Sequence, residues 1–170
     1  MTLGREQYDG LAATLRGSKT RRKFVFIHQL VGGTESGGRG GAEVAPLFEW
    51  GDGKGYAFRR AGWGKPIHAL MVETGVSIAF HGHDHFFARQ ELDGIIDQLV
   101  PQPGHRNSRS HQAVEYGYRT GDFLPNSGHV RVRVAEEGVT VGYVRAATPE
   151  MERCGVRNGE VAFRYTLPGR

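Results

Sequence analysis

Two short apolar runs, each ending in histidine, constrain this chain more than any other feature. Lys23-Phe24-Val25-Phe26-Ile27 stops at His28, and Val76-Ser77-Ile78-Ala79-Phe80 stops at His81-Gly82-His83-Asp84-His85. A continuous apolar run without alternation reads as a strand buried on both faces, the kind found in a sheet covered by helices. In layered α/β folds, ligands bind in the crevice beyond the strand C-termini. Imidazoles at both strand ends therefore mark a candidate site.

The segments around the two runs supply the covering helices. Tyr8, Leu11, Ala12 and Leu15 recur at helical spacing, and Gly17-Ser18 ends that pattern. Pro66 opens a second helix and Gly75 closes it, with Ile67, Leu70, Met71 and Thr74 on its core face. After His85 the period changes to two. Phe86 to Glu91 and Ile95 to Val100 read as strands paired around Leu92-Asp93-Gly94. Val130, Val132 and Val134 alternate, as do Val139, Val141 and Tyr143, and Glu136-Glu137-Gly138 between them predicts a hairpin. Val161 to Tyr165 reads as a last strand, and residues 101–125 as loop.

Residues 32–64 are rich in glycine and lack periodicity, the mark of a functional loop or a disordered segment. Phe48, Trp50, Tyr56, Phe58 and Trp63 argue against disorder. The segment reads as an ordered insertion with one short helix near Ala42 to Phe48. The expected whole is a single domain over residues 1–170, in which a mixed α/β sheet continues into antiparallel strands.

Composition removes several classes. With 38% hydrophobic and 24% charged residues the chain is an ordinary globular protein. No apolar run approaches the roughly 20 residues that cross a bilayer. Met1 to Gln7 has no signal-peptide core, which favours a soluble cytoplasmic protein if Met1 is the true start and leaves export open if an N-terminal part is missing. Cys154 is the single cysteine, so neither a disulfide framework nor a cysteine-rich zinc knuckle is available. The net charge is +4. The basic run Lys19-Thr20-Arg21-Arg22-Lys23 has no interleaved aromatics and reads as a solvated turn, so no nucleic-acid partner is expected. A mild positive charge suits an anionic substrate.

Any metal site must then use His, Asp, Glu or Asn. His83 and His85 flank one residue, and alternate residues of an extended chain point the same way, so both imidazoles would face one cleft. Gly82 would permit the sharp backbone that leaves the strand. Neutral imidazole suits zinc, iron, manganese or nickel better than magnesium or calcium. The competing reading is a polar surface turn that happens to hold histidines. His28 alone would read as a strand-end histidine bonded to backbone; beside the His83 cluster it reads as a ligand.

The string ending in His28, followed later by Ala79-Phe80-His81-Gly82-His83-Asp84-His85, resembles the last two motifs of the calcineurin-like metallophosphoesterases. The order of helix, strand, insertion, helix, strand and antiparallel strands also fits, from about Tyr8 to at least Val144. The resemblance implies the C-terminal half of a layered α/β-β/α sandwich. It also implies two divalent metal ions (manganese, iron or zinc) that together hydrolyse a phosphate mono- or diester. His28 and His83 would ligate one ion and His85 the other. Asp84 fills the variable position without a role, and His81 would pack or hydrogen-bond behind the ligands.

The family also uses Asp-x-His, Gly-Asp and Gly-Asn-His motifs that precede the equivalent of His28. The 27 residues before His28 contain none of them. Gly51-Asp52 and Gly121-Asp122 come too late in the chain, and Asn107 and Asn126 lack that context. The resemblance therefore implies a missing N-terminal half as partner. The isolated chain is expected to bind one metal ion or none and to show little activity.

Two other classes stay open. Gly75 and His81-Gly82-His83 match the start of a cupin metal motif, faintly echoed by Pro103-Gly104-His105 and Asn107, but the expected glutamate is absent and the helices do not suit a β-barrel. A non-enzymatic module could stack ligands on Trp50, Tyr56, Phe58 and Trp63. Finally, His105, Arg106, Arg109 and His111 could line a phosphate-binding cleft or form a solvated loop.

Overall fold

A computed structural model describes residues 3–28, 40–43, 62–104, 112–125 and 127–169. Helix α1 (Arg5–Gly17) buries Tyr8, Ala12 and Leu15, the face set by their spacing. Tyr8 stacks on Trp63 with ring centroids 4.1 Å apart, and its hydroxyl donates to the Lys65 carbonyl at 2.7 Å. Helix α2 (Ile67–Thr74) ends at Gly75, which takes φ 70° and donates its N–H to the Met71 and Val72 carbonyls. Glycine suits this left-handed cap because it has no Cβ to clash.

Both helices lie on one face of a five-stranded sheet. Ile67, Leu70 and Met71 are fully buried there with Val25, Val76, Ala79 and Ile95. Each such side chain contributes roughly 1.5–3 kcal/mol by leaving water. The strands are β1 (Phe24–Phe26), β2 (Ile78–His81), β3 (Phe87–Leu92), β4 (Ile95–Leu99) and β5 (Asp122–Leu124), in the spatial order β1-β2-β4-β3-β5. β1, β2 and β4 run parallel, whereas β3 is antiparallel to both β4 and β5. Asp93 and Gly94 join β3 to β4 with φ 50° and 78°, the two positive values that a tight two-residue hairpin turn demands.

The opposite face of this sheet carries a second, antiparallel one: β6 (Gly128–Ala135), β7 (Gly138–Arg145) and β8 (Val161–Pro168). Ile78, Phe80 and Ile96 meet Val139 and Val141 between the two sheets. The Tyr165 hydroxyl crosses the layer to the Gln98 side-chain oxygen at 3.0 Å. The architecture is thus helices, mixed sheet and antiparallel sheet; antiparallel pairing begins after His85, where the periodicity changes.

Several details differ from the sequence expectations. β1 is an edge strand, with Val25 facing the helices and Phe26 74% exposed, so the run Lys23–Ile27 is not buried on both faces. Residues 101–125 are not all loop: they hold a single helical turn, α3 (Gln112–Glu115), and strand β5. β5 escaped because three residues cannot show a period. It is seated where Gly121 passes so close to Arg89 that a Cβ would lie 2.4 Å from the Arg89 carbonyl oxygen. A further turn, α4 (Pro149–Arg153), starts at Thr148, whose hydroxyl accepts from the Met151 N–H. Of the expected helix near Ala42 to Phe48, residues 44–48 lie outside the described residues, as do Trp50, Tyr56 and Phe58. Glu43 accepts from the Arg119 N–H at 2.7 Å, the Thr120 N–H at 3.0 Å and the Gln90 side-chain amide at 2.9 Å.

Candidate metal and phosphate site

The parallel pairing of β1 with β2 brings the two histidine-terminated strands side by side. Their register matches Phe24 with Ile78, Val25 with Ala79 and Phe26 with Phe80. Backbone pairing continues past the strands. Ile27 donates to the Phe80 carbonyl at 3.0 Å, and Gly82 donates to the His28 carbonyl at 2.9 Å. His28 is thereby held beside the loop His81–His85. The His28 and His83 rings stand 5.5 Å apart between centroids, at 81° to each other.

These residues line an open cleft of about 540 Å³. His28, His83 and His85 border it with Gly82 and His81; Phe26, Ile27, Phe80, Val100 and Gln102 supply the rest of the wall. The cleft lies beyond the C-terminal ends of β1 and β2, the position that the parallel arrangement favours for ligands.

The way His83 and His85 reach one cleft differs from the extended-chain argument. Both are in the left-handed region, with φ 82° and 66°. Gly82 does not take a positive φ, so the sharp turn falls on the histidines. A non-glycine residue held there costs of order 1–3 kcal/mol, and such strain persists where the surroundings fix it. Here one restraint is Asp84, which sequence reasoning left without a role. It is 5% exposed and accepts from the Tyr118 hydroxyl at 2.8 Å. Tyr118, itself 1% exposed among Phe86, Ala88, Leu99 and Ala113, ties the loop to the core. No local pattern could reveal this pair, because Tyr118 lies 34 residues along the chain.

His81 is 3% exposed, and burial drives its imidazole down to about 3 against a hydrogen bond with the Gly82 backbone. It is therefore a neutral ring at the base of the loop. His105 and Arg106 lie outside the described residues, as do Arg109 and His111.

The donor chemistry fits part of a metal centre. Two imidazoles bound to one tetrahedral ion have ring centroids about 5 Å apart, given metal–nitrogen bonds near 2 Å. The His28–His83 separation of 5.5 Å is close to that value. A pair of divalent ions would also need carboxylates, and among the described residues none joins them: Asp84 is engaged with Tyr118. Among the described residues, no group of three or more His, Cys, Asp and Glu side chains is gathered closely enough to hold an ion.

No protein-family profile matches the chain, and no curated protein matches it. Solved structures do resemble it. One is described as GAP50, the anchor in the inner membrane complex of Plasmodium, with TM-score 0.57 and 13% identity over 97% of this chain. Another is the purple acid phosphatase PPD1 from yellow lupin (Lupinus luteus) seeds, with TM-score 0.56 and 15% identity over 98% of this chain. The chain spans 42% of the first and 28% of the second. No helix among the described residues is long and apolar enough to cross a membrane. The fold, a mixed sheet backed by helices and faced by an antiparallel sheet, is shared with these two structures.

Proposed function

We propose that this chain supplies the histidine half of a metal-dependent phosphoesterase site. The carrying observation is the single cleft at the ends of β1 and β2 that collects His28, His83 and His85. In this reading His28 and His83 hold one divalent ion and His85 contributes to a second. Bound there, manganese, iron or zinc would supply charge neutralisation for a phosphoryl group and an activated water. The chain's own residues bring three imidazoles to one cleft. Tyr118 and Asp84 keep the loop from relaxing, and the buried His81 fills the space beneath it.

The carboxylates that would complete the centre come from a segment outside these 170 residues, carrying the Asp-x-His and Gly-Asn-His motifs of the family that the sequence resembles. Two observations support this: the donor set is incomplete among the described residues, and the similar solved structures are more than twice as long. The isolated chain should therefore bind at most one ion and turn over little substrate. The test measures hydrolysis of bis(p-nitrophenyl) phosphate with manganese, first by the chain alone and then by the chain joined to such a segment. Activity only in the joined protein, lost in His83→Ala, is the expected result. Robust His83-dependent turnover by the chain alone would overturn the division of the site. No turnover by the joined protein would overturn the phosphoesterase reading.

A further inference from the structure

Beside its imidazoles the histidine cleft is lined by two aromatic rings, Phe26 and Phe80. Phe26 is 74% exposed, yet its ring is not loose: it stacks on Phe80 with centroids 4.8 Å apart and planes 9° from parallel. Phe80 is 4% exposed and wedged between the sheets against Ile78 and Ile96. A buried ring thus holds an exposed one at a fixed tilt, with its second face open to the cleft. Ile27 and Val100 extend the apolar surface, and Gln102 adds one amide. The described lining contains no Asp, Glu, Lys or Arg.

Phe26 is the last residue of β1, and His28 follows two residues later where backbone bonds to Phe80 and Gly82 prolong the pairing. Successive residues of a strand advance about 3.3 Å, so the two side chains are spaced by about 7 Å. That is the scale of a benzene ring joined through an ester oxygen to a phosphoryl group. A phosphoryl group at the imidazoles would carry its alcohol portion onto the Phe26 ring. Resting on the phosphoesterase reading above, we propose that Phe26 and Phe80 form a leaving-group platform and that the site selects phosphate esters of flat, uncharged aromatic alcohols. Offset stacking of one aromatic ring on another favours such esters over alkyl ones.

The test compares three non-hydrolysable probes on the chain by following imidazole and aromatic resonances: phenylphosphonate, methylphosphonate and phenol. Phenylphosphonate should bind about tenfold more tightly than methylphosphonate, shifting Phe26, Phe80 and the His28 and His83 rings together. Phe26→Ala should remove that preference, so that the two phosphonates bind alike. Phe26→Leu, which keeps the apolar bulk, should remove most of it. A thermal melt serves as control; because Phe26 is largely exposed, both variants should melt near the parent. Equal binding of the two phosphonates would overturn the platform and leave the phosphoesterase reading standing. Phenol binding as tightly as phenylphosphonate, with no histidine shifts, would overturn the phosphoesterase reading and with it the proposed substrate class. No binding by any probe would overturn the platform.

Discussion

Replacing Asp97 by asparagine should change how stability depends on pH, and the structure sets the size of the change. Asp97 sits in β4 between Ala79 of β2 and Gln90 of β3. It is 1% exposed, and neither carboxylate oxygen has a hydrogen-bond partner among the described residues. The amide of Gln90 is turned away toward Glu43 and the Thr120 carbonyl. Burial, with the nearby Glu43 charge adding to it, pushes the Asp97 carboxyl from 3.8 up to about 7. A raised folded-state value means that the folded chain holds this proton while the unfolded chain has released it. Stability from Asp97 is then full below about pH 4 and falls as the pH rises to about 7. The rise from 3.8 to about 7 corresponds to a loss of about 4 kcal/mol. The buried His81 ring acts in the opposite sense: its lowered value removes stability as the pH falls below the ordinary 6.5. The parent curve therefore sums opposing slopes, and only the difference between parent and variant isolates Asp97. Urea denaturation of both proteins between pH 4 and pH 8 measures that difference. Asp97→Asn should gain on the parent steadily up to about pH 7 and then run parallel to it. A difference that stays constant across the range would show that Asp97 ionises normally and that the burial argument is wrong.

Tyr118→Phe should cost about 2 kcal/mol in the same assay, because it withdraws a hydroxyl from the buried Asp84 carboxylate. It should also weaken zinc binding, measured by calorimetry, since the loop holding His83 and His85 loses an anchor. His83→Gly should be more stable than His83→Ala by about 1 kcal/mol, as only glycine takes φ 82° without strain; equal melting temperatures would contradict that strain. Elemental analysis of the zinc-equilibrated isolated chain should find no more than one ion, with His28→Ala and His83→Ala each abolishing it; two retained ions would refute the reading of an incomplete donor set.

Much of the fold follows from local pattern. Helical spacing from Tyr8 to Leu15 places α1, and Pro66 with Gly75 brackets α2. Alternating valines give β6 and β7, and Asp93-Gly94 gives the turn between β3 and β4. These features are legible because each depends on contacts within a few residues, where periodicity and turn chemistry act. The two strands that end in His28 and His81 were legible for the same reason, and with them the place of the cleft.

Tertiary structure alone decided what surrounds them. The sequence marks Lys23–Ile27 as apolar but not as an edge, because strand order is fixed by pairing between distant segments; only in the fold does Phe26 become exposed beside His28. The sequence places His83 and His85 close together but not their left-handed backbone, which is held against its own preference by Tyr118 across the core. Asp97 reads as one more charged residue until the sheet seals it from water. Each of these properties is a matter of burial or strain, and both depend on which distant side chains arrive.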